Sequence, residues 1–107
     1  MAEALPTTNT KQLVVKGTAK TVKSGVSSVL DLNTTDSHKL VVVDPNGNKN
    51  EYQTQDVGDG SDGEWRYTLA TVSIAGIWKF DTYAVIGTTE IETSRTKYLE
   101  VVEGKHA

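Results

Sequence analysis

The residues with the most evident capacity for chemistry lie in the stretch VGDGSDGEW, 57–65, which holds two aspartates, a glutamate and a serine in nine positions. Carboxylate and hydroxyl oxygens are ligands that calcium prefers. An EF-hand loop, however, needs oxygen ligands at alternate positions and a glutamate at position twelve. A loop that starts at Asp56 or at Asp59 places glycines at ligand positions and has no glutamate at the twelfth. Because Gly, Asp and Ser suit tight turns, we predict a turn, with a weak, irregular calcium site as the alternative.

Other patterns of reactive residues give no basis for an enzyme. The chain has no cysteine, which excludes a thiol nucleophile, a zinc–thiolate site and a disulfide. Its two histidines, His38 and His106, are far apart in the sequence, and we expect both to be solvated rather than to share a metal. No Ser-His-Asp pattern, nucleophile elbow, phosphate-binding glycine loop or HExxH motif occurs. We therefore expect no catalytic residue, no bound metal and no cofactor.

Charge and hydropathy limit the partners. The 107 residues carry a formal net charge of −3, and the lysines and arginines are scattered, so the chain offers no basic field for nucleic acid. The longest apolar run, LVVV at 40–43, is too short to span a bilayer. The N-terminal MAEALPTTNTK lacks the features of a signal peptide. We expect synthesis in a host cytoplasm without a signal peptide and no membrane insertion.

The periodicity of the chain predicts an all-β fold. Short runs rich in Val, Thr, Ile and Tyr alternate with Gly, Asn, Asp and Ser, and no long window keeps helical spacing. A turn is predicted at DPNG, 44–47, and a hairpin turn around Gly87. We expect one antiparallel β-sandwich domain over 12–103, a flexible N-terminal arm at 1–11 and a polar tail at 104–107. The seven expected strands are 12–20, 26–32, 38–43, 50–55, 64–69, 76–86 and 90–102.

Alternation within these strands divides the aromatic residues between a core and a surface. Tyr83 and Tyr98 have outward parity, and because exposed aromatics often mark interfaces, we take them as the expected docking surface. Two alternatives are a cross-strand contact between them and a platform on which a sugar stacks. The residues expected to form the structural core are Trp65, Tyr67, Trp78, Phe80, Leu99 and Val101. Ala84, Ile86 and Ile91 share this inward parity.

A family resemblance arises at AGIWKF, 75–80, which follows GDGSDGEWRYTL and precedes a glycine-turned hairpin that ends in YLEVVEG. Together with the DPNG turn, this order resembles immunoglobulin-like β-sandwich domains, and more narrowly the small modules in structural proteins of tailed bacteriophages. The resemblance covers roughly 13–102. Trp78 and Phe80 stand where immunoglobulin domains carry a corner tyrosine and the second cysteine. The lack of a cysteine pair, and of an aspartate before the corner, departs from the antibody pattern.

The resemblance implies a non-enzymatic virion protein, either a capsid decoration protein or a tail accessory module. Such a protein would dock on other virion proteins through a sheet edge, the arm or loops, and would be located in the virion. The alternative function is a carbohydrate-binding or adhesion module for a cell-surface polysaccharide. A hydrolase or metal-dependent enzyme is the reading with least support, since no suitable set of residues is present. The sequence leaves the oligomeric state open.

Overall fold

The structure, a computed structural model, describes residue 7, residues 12–69, residue 72 and residues 74–103. The expected arm at 1–11 and tail at 104–107 therefore fall almost wholly outside the described residues. No helix within the described ranges is long and apolar enough to cross a membrane. A short 3-10 helix covers Leu32–Thr34. The strands are β1 Leu13–Thr18, β2 Lys20–Lys23, β3 Val26–Val29, β4 Ser37–Val43, β5 Lys49–Gln53, β6 Gln55–Asp56, β7 Glu64–Leu69, β8 Gly76–Ile86, β9 Thr89–Glu92 and β10 Lys97–Val101.

The strands form two main sheets in which every pairing is antiparallel. The smaller sheet has the order β1-β7-β6, and the larger has the order β10-β8-β4-β5, with β9 also paired to β8. Immunoglobulin-like sandwiches keep strands B, E and D in one sheet and C, F and G in the other. Here β1, β7 and β6 form the first set, β4, β8 and β10 the second, and β5 adds a strand beside β4. The predicted immunoglobulin-like sandwich is confirmed.

The last predicted strand, 90–102, is divided into β9 and β10. The eleven-residue β8 pairs with β9 along its second half and with β10 along its first half. Between these two strands, the Thr93 N–H donates to the Thr82 carbonyl at 3.0 Å, and the Thr93 carbonyl accepts from the Lys20 N–H at 2.9 Å. The N–H bond continues the β8–β9 pairing, and the chain leaves β8 here because the Thr93 carbonyl bonds to β2 instead.

Strands β2 and β3 form a two-stranded ribbon. It lies where the sequence predicted the end of the strand at 12–20 and the start of the strand at 26–32. Strand β1 ends at Thr18, and the Ala19 N–H donates to the Gly63 carbonyl at 2.8 Å. The ribbon turns at Ser24 and Gly25, whose φ values of 52° and 79° fit a type I′ hairpin turn. Its valines are exposed, with Val22 at 72%. The strand predicted at 26–32 is therefore shorter in the structure, which has the surface strand β3 followed by a 3-10 helix.

The core lies between the two main sheets. Of the six expected core residues, Trp65, Trp78, Phe80 and Val101 are buried, while Tyr67 and Leu99 are half-buried and pack against them. The Tyr67 ring stacks on Tyr52, with ring centroids 4.7 Å apart. Ile86 was expected to point inward and is exposed, because it lies opposite Thr89 at the end of the β8–β9 hairpin. The inner face of β8 therefore stops contributing to the core after Ala84.

The DPNG turn joins β4 to β5 and is held by the Asp44 side chain. Asp44 Oδ1 accepts hydrogen bonds from the Asn46 N–H at 3.0 Å and the Asn48 N–H at 2.9 Å. Gly47 has a φ of 86°, and its N–H donates to the Asp44 carbonyl. Desolvation opposes ionisation, but hydrogen bonds from Asn48, Asn46 and Gly47 outweigh it and lower the pKa of Asp44. The ionised carboxylate is therefore the form that suits the turn.

Candidate functional site

The predicted docking residues lie on the outward surface of the larger sheet, which we call the outer face. In β8 the side chains of Trp78, Phe80 and Thr82 are buried, so the residues between them point away from the core. Tyr83 lies on β8 between Lys39 of β4 and Glu92 of β9. Tyr98 lies on β10 opposite Lys79 of β8. Antiparallel register therefore brings both tyrosines to the same side of the sheet.

The two tyrosines are not neighbours on the outer face. Tyr83 follows Lys79, the partner of Tyr98, by four residues along β8, which corresponds to roughly 13 Å of extended strand. Tyr98 is 65% exposed, whereas Tyr83 is half-buried. The expected alternative of a direct cross-strand contact between the two rings does not fit this register. The outer face instead presents two separate aromatic positions.

The surroundings of Tyr83 are acidic. A cavity of about 310 Å³ beside Tyr83 is lined by four carboxylates, those of Glu51, Asp81, Glu90 and Glu92, and also by Lys49 and Val41. Burial, then the hydrogen bond and negative charge of Asp81, and then the charge of Glu90 raise the pKa of Glu92. Burial and the carboxylates of Glu51 and Glu90 raise the pKa of Tyr83. The carboxylate contributions to both shifts, which are smaller than that of burial, indicate a negative potential at this half of the face.

The surroundings of Tyr98 are more apolar. Tyr98 lies opposite Lys79, and the next outward pair along the two strands is Ile77 and Glu100. Ile77 is exposed despite its apolar side chain. Val43 of β4 pairs with Lys79 of β8 on one side and with Lys49 of β5 on the other, so it lies between the two lysines. The outer face thus combines an acidic half around Tyr83, which also holds Lys39 and Lys49, with a more apolar half around Tyr98.

The acidic loop at 57–65 forms turns. Gly58, Gly60 and Gly63 have φ values of 67°, 82° and 72°, which glycine adopts without strain. Asp59 Oδ1 accepts hydrogen bonds from the N–H and the hydroxyl of Ser61, at 2.9 and 2.6 Å. Those bonds lower the pKa of Asp59. Within the part of the chain that the structure describes, no group of three or more His, Asp or Glu residues could hold a metal ion.

This loop also anchors the base of the β2–β3 ribbon. The Gly60 carbonyl accepts from the Leu32 N–H at 3.0 Å, and the Gly63 carbonyl accepts from the Ala19 N–H. Gly63 is packed so tightly that a Cβ would lie 2.7 Å from the Leu30 carbonyl oxygen and 3.0 Å from that of Ala19. The glycine is required there both by its backbone conformation and by the lack of space.

His38 is buried, which corrects the expectation of a solvated side chain. It is 2% exposed. Its Nδ1 lies 2.8 Å from Thr54 Oγ1, and its Nε2 lies 2.7 Å from Thr93 Oγ1. Desolvation lowers the pKa of His38 from 6.5 to about 4. A signal for this was available in the sequence, because His38 shares the parity of the buried residues Leu40 and Val42 on β4.

The hydrogen bonds of this cluster fix the histidine tautomer. Thr54 Oγ1 donates its single proton to the His38 carbonyl at 3.1 Å. It must then accept from His38 Nδ1–H, which leaves Nε2 to accept from the Thr93 hydroxyl. Thr93 Oγ1 in turn lies 2.7 Å from Thr82 Oγ1, from which it accepts. The cluster joins β4, β8 and the segments at 54 and 93, and because His38 is 2% exposed and Thr93 is 0% exposed, it is closed to a substrate.

Comparisons with known proteins give limited information. No family model matches the chain, and no curated protein matches it. Among solved structures, the chain is similar to pullulanase type I from Bacillus subtilis str. 168 complexed with maltose, at 15% identity and a TM-score of 0.47. The alignment covers 87% of this chain and 11% of the pullulanase chain.

Proposed function

We propose that this chain is a non-enzymatic structural module of a tailed-bacteriophage virion that docks on another virion protein through its outer face. It serves as a capsid decoration protein or a tail accessory protein and is located in the virion. The order of turns and aromatic residues over 13–102 supports the phage assignment, and the burial of His38 and Thr93 away from solvent supports a non-enzymatic role. The outer face is the observation on which the docking role rests.

The composition of the outer face favours a protein partner. Tyrosines on a rigid sheet offer a large contact area and lose little conformational entropy on binding. The difference between the acidic half and the more apolar half fixes the orientation of a partner, since basic groups of the partner must meet the carboxylates. We expect that partner to place basic groups near Glu51 and Glu92, and an apolar surface near Tyr98.

Charge substitution on the outer face provides the test. The double variant Tyr83→Lys and Tyr98→Glu is expected to weaken binding to purified phage particles by about tenfold or more, because it removes both aromatic contacts. Binding is measured by co-sedimentation of the labelled protein with capsid and tail fractions. Val14→Lys is the matched control, because Val14 is exposed on β1 of the opposite sheet, and we expect it to bind as the unaltered protein does. Full binding by the double variant would contradict the proposed docking face.

A carbohydrate-binding or adhesion role is the second proposal, and the high exposure of Tyr98 beside the exposed Ile77 favours it. An exposed aromatic ring can stack on the apolar face of a sugar. A titration with surface polysaccharide fragments, followed by amide resonances, separates the two roles. Shifts centred on Tyr98 with glycan, together with no binding to particles, would replace the docking role by an adhesion role.

A further inference from the structure

A groove runs along one open side of the sandwich, remote in the sheet order from the β5 edge of the outer face. It has a volume of about 820 Å³ and lies between the end of β1 with the β2–β3 ribbon on one side and β9 with the 93–97 segment on the other. Hydroxyl, charged and apolar groups all contribute to its walls. Residues of its lining that bear on binding are Gly17, Lys20, Ser27, Trp65, Arg95 and Lys97.

Trp65 brings a buried hydrogen-bond donor to this groove. The side chain is 4% exposed, and its Nε1 has no hydrogen-bond partner among the described residues. The other tryptophan differs, because Trp78 Nε1 donates to the Ile74 carbonyl at 2.9 Å. A buried N–H without an acceptor destabilises the folded state and is uncommon in native proteins. Trp65 therefore has an unused donor at a position that lines the groove.

Gly17 packs closely against that side chain. It lies directly opposite Trp65 in the β1–β7 register. A Cβ at residue 17 would lie 3.1 Å from Trp65 Cζ2 and 3.3 Å from Nε1. Gly17 is not among the glycines with positive φ, so no turn conformation requires it. The lack of a side chain here lets the indole lie against the main chain of β1, which places its N–H beside the part of β1 that lines the groove.

Strand edges border the groove on both sides. Among the described strands, β1 pairs with β7 alone and β9 pairs with β8 alone. Their other edges bear main-chain groups that an added strand can bond. The main chain of an extended peptide has both N–H donors and carbonyl acceptors, which can bond to the free groups of a strand edge. Peptide recognition by strand addition uses this property. A sugar has no regular array of groups that matches a strand edge.

We propose that this groove binds an extended segment of a partner polypeptide, which adds alongside β1 and places a main-chain carbonyl where it accepts from Trp65 Nε1. Lys20, Arg95 and Lys97 lie along the groove together with Glu90 and Glu92, so the cations outnumber the carboxylates and favour an acidic side chain in the bound segment. Glu90 and Glu92 also line the cavity beside Tyr83, but neither Tyr83 nor Tyr98 lines the groove. The site goes beyond the proposed virion role because it does not depend on these two tyrosines.

The two indole N–H resonances provide the readout. Short random peptides displayed on yeast are selected against the immobilised full chain, and enriched sequences are synthesised and titrated into ¹⁵N-labelled protein. We expect enriched peptides to carry an acidic residue and to move the Trp65 indole resonance, which is assigned by its absence in Trp65→Phe. The Trp78 indole, already bonded to Ile74, is expected to stay in place and serves as the internal control.

Two variants of the ribbon locate the binding. Ser27 lines the groove, whereas its neighbour Ser28 lies on the opposite side of the same ribbon. Ser27→Tyr is expected to weaken peptide binding by about tenfold or more, and Ser28→Tyr is expected to leave it unchanged. The Tyr83→Lys, Tyr98→Glu variant should bind these peptides normally, which separates this site from the docking face. Any of three results would overturn the proposal. The selection could enrich no peptide, the two serine variants could bind peptide equally, or glucan oligosaccharides rather than peptides could move the Trp65 resonance.

Discussion

Replacing Gly63 with alanine is expected to lower the free energy of unfolding by about 3 kcal/mol or more. At its φ of 72° the new side chain is strained, and its Cβ would be 2.7 Å from the Leu30 carbonyl oxygen and 2.9 Å from Val29 Cγ1. Main-chain neighbours cannot move aside as a flexible side chain can. The change would also displace the Gly63 carbonyl, which holds Ala19 at the base of the ribbon. Urea unfolding, followed by tryptophan fluorescence, measures the effect.

Gly58→Ala is the matched control in the same loop. Gly58 has a similar φ of 67°, but a Cβ there would have nothing within 4 Å. Its expected cost is therefore only the backbone strain, about 1 kcal/mol. The difference between the two variants isolates the steric term at Gly63. Equal losses at both positions would show that the packing of the loop against Leu30 contributes nothing to stability.

Acidification is expected to destabilise the fold through His38. The unfolded side chain takes up a proton near its ordinary pKa of 6.5, whereas burial holds the folded pKa at about 4. Because the folded pKa is the lower one, the stability is fully present above about pH 6.5 and is lost as the pH falls towards 4. With 1.36 kcal/mol for each pKa unit, the loss over this window amounts to roughly 3 kcal/mol. Denaturant unfolding at a series of pH values measures it.

A His38→Gln variant separates this effect from the titration of carboxylates. The glutamine is expected to be less stable at neutral pH, because it cannot reach both Thr54 and Thr93 in the same geometry. Between pH 6.5 and 4, however, its stability should fall less steeply than that of the unaltered protein. Parallel curves for the two proteins would show that the burial of His38 does not govern the acid sensitivity of the fold.

Parts of the fold were predictable because strand alternation depends on local sequence. The period of two along 64–69 and 76–86 is enough to place Trp65, Trp78 and Phe80 inside and Tyr83 outside. The DPNG turn was predictable for a similar reason, since Pro and Gly impose particular φ values. These features depend on residues a few positions apart, and no knowledge of distant parts of the chain is needed to derive them.

Other parts depend on contacts between distant residues. The break between β9 and β10 follows from the bond of the Thr93 carbonyl to Lys20, and no residue near Thr93 signals it. The ribbon contains valines, which are common in core strands, but Val22, Val26 and Val29 are exposed. The acidic half around Tyr83 combines Glu51 of β5 with Glu92 of β9, which only the register of the larger sheet brings together.

The pairing of β1 with β7 determines when the smaller sheet can form during synthesis. Leu13 pairs with Leu69, so on a ribosome the smaller sheet has to wait until the segment containing Leu69 has emerged. The complete larger sheet can form only later, after the residues of β10 have emerged. The β2–β3 ribbon joins neighbouring residues and closes within about 1–10 μs of becoming free. A nascent chain would therefore carry a transient, marginally stable hairpin well before either tryptophan loses contact with water.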